Sequence, residues 1–239
     1  MARKFRLALL AATSLLPSPL AVFFLRYAFG YKIGRRVRIG FSIVDAGECE
    51  IGDDVSIGHL NVFTGVGKLS IGEHSRIGVL NIFRGGDEIR IGRYCDILRL
   101  NEINSIPEPD VVNELDPRFI MGDGSMMGAS HKVDFTDRVE FGNRVILGGR
   151  NSSIWTHNRQ KTFPVRIGSN TYLGSEIRIA PGVEIAPNCI VGMGSVVAGR
   201  LTEEYQLIGG VPAKVIKPLD EEGRFLVERK TRNDLPDDI

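Results

Sequence analysis

Tryptophan occurs once and cysteine three times in this 239-residue chain. Cys49, Cys95 and Cys189 are odd in number and share no paired spacing. They argue against a disulfide framework and a zinc site, and a reducing, cytoplasmic setting fits them. The four histidines are not spaced to supply the three convergent ligands of a histidine metal centre, so no metal is expected. No glycine-rich phosphate loop precedes a helix, and no nucleic-acid motif occurs. Carboxylates are missing from residues 1–44, which carry eight basic side chains before Asp45, the first acid. The remainder holds 22 basic against 29 acidic residues, so a basic end sits on a mildly acidic body. That asymmetry points to an anionic surface at the basic end only.

What the chain has in quantity is glycine, 28 residues of it, in a pattern. From Ile167-Gly168 an aliphatic residue followed by Gly or Ala recurs every six residues through Leu173, Ile179, Ile185, Val191 and Val197. Small or β-branched residues follow four places on, at Thr171, Ile177, Val183, Cys189 and Ser195. Neither a helical nor an alternating period explains this. The same phrase opens longer units at Ile33, Ile51, Ile71, Ile91, Met121 and Phe141. The physical reading is an all-β fold, a triangular parallel β-helix of roughly eight coils, with one short strand per side and stacked aliphatic residues inside. Leu60-Asn61-Val62-Phe63, Leu80-Asn81-Ile82-Phe83 and Leu100-Asn101 form a second ladder, read as structural stacking. Cys95 and Cys189 fall in small interior slots and are read as packing.

Departures from the period map to loops. Residues 103–119 project after Asn101, and residues 154–164 interrupt the hexads with a histidine, His157. A crossover after Val197 leads to Gly209-Gly210-Val211-Pro212-Ala213-Lys214-Val215-Ile216-Lys217. Residues 219–231 read as a short polar helix, after which the end frays. The organisation expected is an apolar N-terminal anchor or cap over 1–30, the β-helix over 31–200, and a C-terminal extension over 201–239.

The hexads, the His-bearing loop and the closing GGVPAKVIK resemble the hexapeptide-repeat acyltransferases, and most of all the maltose/galactoside and glycan O-acetyltransferases. The resemblance implies a left-handed β-helix, a homotrimer, and acetyl-CoA as acyl donor, bound between adjacent prisms. It puts the catalytic histidine at His157 and acyl-CoA contacts at Ser175, Met193, Lys214 and Lys217. Where relatives carry Thr-Lys this chain has Ala198-Gly199-Arg200, and Arg200 is the substitute phosphate contact.

A sugar hydroxyl needs a base to become nucleophilic, and imidazole suits that task near neutrality. Thr156 and Asn158 flank His157 and are candidates to orient its ring; a backbone N–H near Ser175 is the candidate oxyanion donor. No cysteine is placed as a nucleophile, so direct transfer is expected. Saccharide contacts are expected at Asn158, Trp155 and His131, the last about one coil below His157. The resulting expectation is acetyl transfer to a saccharide hydroxyl in surface-glycan biosynthesis. N-acylation of an amino sugar, or a non-catalytic scaffold, stands as the alternative. Leu7 to Leu25 is apolar apart from Thr13, Ser14 and Ser18, and is broken by Pro17 and Pro19. Basic residues, including Arg3, Lys4, Arg6 and Arg26, bracket it. It reads as an uncleaved interfacial hairpin on the inner face of the cell membrane, with a solenoid cap as the other reading.

Overall fold

The computed structural model of the chain describes residues 2–230 and 235–239, with side chains from Lys4 onward; the Arg3 side chain and Thr231 lie outside them. The architecture is a parallel β-solenoid of about nine turns, consistent with the left-handed β-helix. Each turn contributes a strand to three faces. The first face carries Glu88–Ile91, Arg118–Met121 and Val139–Phe141; the second carries Asp96–Arg99, Met126–Ala129 and Ile146–Arg150. The third carries Ile82–Arg84, Glu102–Asn104, Lys132–Asp134 and Ser153–Ile154. Pairing between turns is parallel, with Ile71 opposite Ile91 and Ile91 opposite Met121. The aliphatic positions of the hexads are therefore stacked and buried.

From Gly34 to Gly168 the glycine after the aliphatic residue is required by close approach. A Cβ on Gly72 would lie 2.5 Å from the backbone nitrogen of Arg93 in the next turn. The left-handed backbone comes two residues later, at Asp54, His74, Tyr94 and Asn170.

The asparagine ladder is an interior hydrogen-bond column. Asn81 Nδ2 donates to Asn61 Oδ1, and Asn101 Nδ2 to Asn81 Oδ1, each at 3.0 Å. Each Oδ1 also accepts the backbone N–H one turn up, from Asn81, Asn101 and His131 in succession. Ser42 begins the column and Ser152 continues it above His131. Phe63 and Phe83 stack alongside with centroids 4.3 Å apart. All three cysteines are buried and free, and burial pushes the Cys49 and Cys95 thiols up to about 12.

Two N-terminal helices, α1 (Ala2–Ser14) and α2 (Ser18–Tyr27), form a hairpin against the first turn. Its turn lies just before Pro17, which precedes α2 as its N-cap residue, with Pro19 inside the first helical turn. Leu10, Ala21 and Leu25 are buried, and Leu10 and Leu25 join the core that contains Tyr31, Ile33 and Ile39. Arg6 fastens α1 by bonds to Asp45, the Tyr31 hydroxyl and the Ala46 carbonyl. At the other end, Gln206–Gly210 closes the second face and Ala213–Pro218 turns back antiparallel upon it. Helix α3 (Glu221–Glu228) follows, capped by Asp220. The chain end differs from the frayed tail expected from its polarity. Leu235 and Ile239 are buried beside Gly124, and Asp238 pairs with Arg93 at 3.3 Å, so the tail returns to the middle of the prism.

Candidate active site

The two projecting loops leave the same edge, between the third and first faces. Strand pairing trims both: the first loop covers 105–117, having lost residues at both ends to the faces, and the second covers 155–164, having lost Ile154. In the second loop His157 pairs with Thr162 across a small antiparallel bridge. Asn158 Oδ1 accepts the backbone N–H groups of Gln160 (2.8 Å) and Lys161 (2.9 Å), a turn chemistry typical of Asn. The two loops are bolted together. Asn113 Nδ2 donates to Thr162 Oγ1 at 2.8 Å, and Thr162 N–H donates back to Asn113 Oδ1 at 2.9 Å. Below them Arg138 donates to Asp116 at 2.8 Å.

His157 sits a quarter exposed at the base of this hairpin, with Nδ1 in contact with Asp134 Oδ2. Asp134 is itself fixed: its Oδ1 accepts from the Thr136 N–H (2.8 Å) and hydroxyl (2.6 Å). A carboxylate in this position holds the proton on Nδ1 and leaves Nε2 as the acceptor. The ring is thus oriented by Asp134 from the turn below, and neither neighbour in sequence does so. Thr156 is buried, its hydroxyl accepting the Asp137 N–H at 3.0 Å. Asp134 is a candidate functional residue that the sequence does not single out. The signal was present in the register, since pairing Val133 with Ile154 stacks Asp134 beneath Trp155.

A cleft of about 200 Å³ opens beside this pair, lined by Arg84, Glu102, Asn104, Lys132, Trp155 and His157 among others. Trp155 is 45% exposed and its ring centroid stands 6.1 Å from that of His157 in an edge-on arrangement. Asn104 Nδ2 donates to Glu102, while its buried Oδ1 has no partner among the described residues. A larger, open groove runs along the edge between the first and second faces, lined by residues such as Arg26, Glu50, Arg90 and Asp123. It contains no histidine, and its carboxylates Glu50, Asp53 and Asp123 are paired with Lys32, Arg35 and Arg93.

His131 does not join the cleft. It is fully buried in the asparagine column, where Nδ1 takes the Ser152 N–H at 3.1 Å and Nε2 has no partner among the described residues. The expected substrate contact at His131 is therefore corrected: one turn below His157 along the prism, it points inward. Burial depresses its imidazole to about 4, with only the Leu147 carbonyl pulling the other way.

The residues expected to hold the acyl donor lie mostly on a different edge, between the second and third faces. Ser175 packs its hydroxyl over Gly149, where a Cβ would overlap Ser175 Oγ, and its carbonyl accepts the Gly194 N–H. Met193, one turn up, is 80% exposed. Lys214 and Lys217 lie on the antiparallel strand that ends the second face; Lys217 pairs with Asp220 at 2.9 Å. Arg200 is on the edge that carries His157, paired with Glu184 at 3.1 Å. Within one chain, then, His157 and the Ser175–Met193 column flank opposite borders of the third face.

Residues 164–199 match the bacterial transferase hexapeptide family, a unit of six repeats. Over 60 residues the chain is 37% identical to the galactoside O-acetyltransferase of Escherichia coli (strain K12), covering 25% of this chain and 29% of that protein. It is 37% identical over 76 residues to the chloramphenicol acetyltransferase of Klebsiella aerogenes, covering 31% of this chain and 36% of that one. The chain thus spans about a third of the length of the curated relatives it matches. Among solved structures, a UDP-N-acetylglucosamine acyltransferase from Francisella novicida superposes with a TM-score of 0.51 at 17% identity, over 76% of this chain and 70% of that one. That likeness is one of fold.

Proposed function

From residues 164–199, which are bacterial transferase hexapeptide repeats, we propose that the protein is an acetyltransferase moving an acetyl group from acetyl-CoA to a saccharide hydroxyl in surface-glycan biosynthesis. The observation that carries this reading is the His157–Asp134–Thr136 chain beside an open cleft. His157 Nε2 takes the hydroxyl proton as the alcohol oxygen bonds to the thioester carbonyl carbon. The tetrahedral intermediate then expels the CoA sulfur, which recovers the proton from the imidazolium. A hydroxyl needs this base more than an amine does, because its pKa lies far above neutrality. The chain contributes Trp155 as a wall for the sugar and a backbone N–H near Ser175 for the oxyanion.

The separation of His157 from Ser175 and Met193 supports a homotrimer in which one copy supplies the base and its neighbour the donor edge. Lys214 meets a CoA phosphate directly. Lys217 and Arg200 exchange exposed carboxylate partners for phosphate, a small loss because exposed pairs are worth about 0–1 kcal/mol. The helical hairpin rests on the inner face of the cell membrane, which puts a lipid-linked saccharide within the enzyme's range.

The test is release of free CoA thiol from acetyl-CoA with sugars, sugar nucleotides and amines as acceptors. His157→Ala is expected to lower turnover by at least about 10²-fold, and Asp134→Asn by roughly 10-fold or more, at unchanged acetyl-CoA KM and oligomeric mass. Wild-type rates in both variants would remove the base from this site. Transfer to amines alone would replace the hydroxyl acceptor.

A further inference from the structure

The register of the third face decides which side chains line the cleft beside His157. Phe83, Ile103 and Val133 point inward and are buried, so the residues on either side of each point outward. Strand pairing stacks these outward residues in two columns. Glu102 and Lys132 are neighbours in one, while Arg84, Asn104 and Asp134 succeed one another in the other. Arg84 therefore stands two turns below Asp134, about 10 Å along the axis at the usual strand spacing. Elsewhere the same stacking joins arginine to a carboxylate in the next turn, as Arg35 to Asp53, Arg36 to Asp54 and Arg93 to Asp123. Arg84 has neutral neighbours instead, Thr64 beneath it and Asn104 above.

The carboxylates of the cleft do not reach it either. Asp134 is committed to His157 and Thr136, and Glu102 accepts from Asn104 at 2.6 Å with Lys132 standing 4.0 Å away. Among the described residues the exposed Arg84 guanidinium has no hydrogen-bond or ion-pair partner. Lys132 is a loosely held second cation, its side chain largely exposed. A solvated arginine is ordinary on a protein surface, but this one lines the cleft that holds the base. We propose that the acceptor saccharide is anionic, and that Arg84 takes its carboxylate or phosphate while His157 takes the proton of a hydroxyl across the sugar ring. A planar guanidinium fork matches either oxyanion with two parallel hydrogen bonds. The inference rests on the acceptor cleft proposed above and names the class of substrate that it selects.

Binding can be followed without turnover, because the chain's single tryptophan, Trp155, lines the same cleft and its emission reports occupancy. The full chain is titrated with glucuronate, glucose 1-phosphate and uncharged glucose. At least one anionic sugar is expected to saturate the signal at roughly 10-fold lower concentration than glucose, an advantage that salt weakens. Tighter binding of glucuronate would mark a carboxylate acceptor, and of glucose 1-phosphate a phosphorylated one. Arg84→Gln should erase the advantage, while Arg84→Lys should restore part of it. In transfer assays with the preferred anionic sugar, the Gln variant should raise the acceptor KM. Equal affinity for all three sugars, no response to any, or an advantage that survives Arg84→Gln would each overturn the proposal. If the anion binds through Arg84 yet no acceptor is acetylated, the anion site stands and the transferase reading fails. If neutral sugars are acetylated as efficiently as anionic ones, the transferase stands and the choice of acceptor class falls.

Discussion

His131 takes the slot that Asn61, Asn81 and Asn101 fill in the turns before it, and its Nδ1 imitates their Oδ1 by accepting the backbone N–H of the next turn. The imitation is incomplete. Each asparagine also donates through Nδ2 to a corner carbonyl, of Gly78, Leu98 or Gly128, whereas His131 Nε2 finds no partner among the described residues. Burial holds the imidazole at about 4 against an ordinary 6.5, so the unfolded chain binds a proton that the folded one refuses. Stability from this site is complete above pH 6.5 and declines as the pH falls towards 4, by at most about 3 kcal/mol. His131→Asn is expected to restore the missing donor and remove this part of the acid sensitivity. Chemical denaturation at pH 7 and pH 4.5 checks it: the loss between the two should shrink in the variant. An equal loss would assign the acid sensitivity to other groups. The same column shows what a sequence discloses about single residues. The ladder was legible because identical asparagines recur at spacing 20. Asp134 was not, because its partner His157 is 23 residues away and the pairing depends on how far the intervening hexads drift.

At the scale of elements, the hexads disclosed the strands, the stacked interior and both projecting loops, because each follows from a short period or its interruption. The closing strand was legible only as a motif. Ala213–Pro218 turns back antiparallel on the second face, a reversal that a hexad count does not contain. That reversal leaves Lys214 exposed and holds Lys217 beside Asp220, on the face whose border carries Met193. Replacing both lysines with Ala is expected to raise the CoA KM and to reduce the preference for CoA over dephospho-CoA, since the lost contacts are to phosphate. Turnover at saturation should change little. An unchanged KM for both donors would make the lysines a solvated pair. Fixed order at the chain end was likewise hidden, because Leu235 and Ile239 are isolated apolar residues in a polar tail.

At the scale of the whole molecule, the N-terminal hairpin has two faces with opposite assignments. Its inner face packs on the end of the prism through Leu10, Ala21 and Leu25. Its outer face exposes Phe5, Leu9, Leu15, Leu20, Phe23, Phe24 and Tyr27. The three hydroxyls of residues 7–25 do not compensate: Thr13 and Ser14 bond back to their own helix, and Ser18 accepts the Ile39 N–H. No helix among the described residues is long and apolar enough to cross a membrane; these exposed apolar side chains are the ones the proposed contact with a bilayer surface would use. The basic end is less cationic than its sequence suggests, because Lys32, Arg35 and Arg36 pair with Glu50, Asp53 and Asp54 of the next turn. Binding to anionic vesicles is therefore expected to be weakened only in part by salt. Removing residues 1–30 would uncover Tyr31, Ile33 and Ile39 and destabilise the first turn, so truncation is a poor probe. Phe5→Ser, Leu9→Ser and Phe23→Ser together leave the inner face intact. Burying a large apolar side chain contributes about 1.5–3 kcal/mol, so the triple variant should lose at least roughly 10²-fold in vesicle partitioning at an unchanged melting temperature. The cleft stands about five turns above the cap, some 20–25 Å at the usual strand spacing, which a lipid-linked saccharide can span. If wild type and variant ignore vesicles equally, the hairpin is a cap alone and the acceptor need not be lipid-linked.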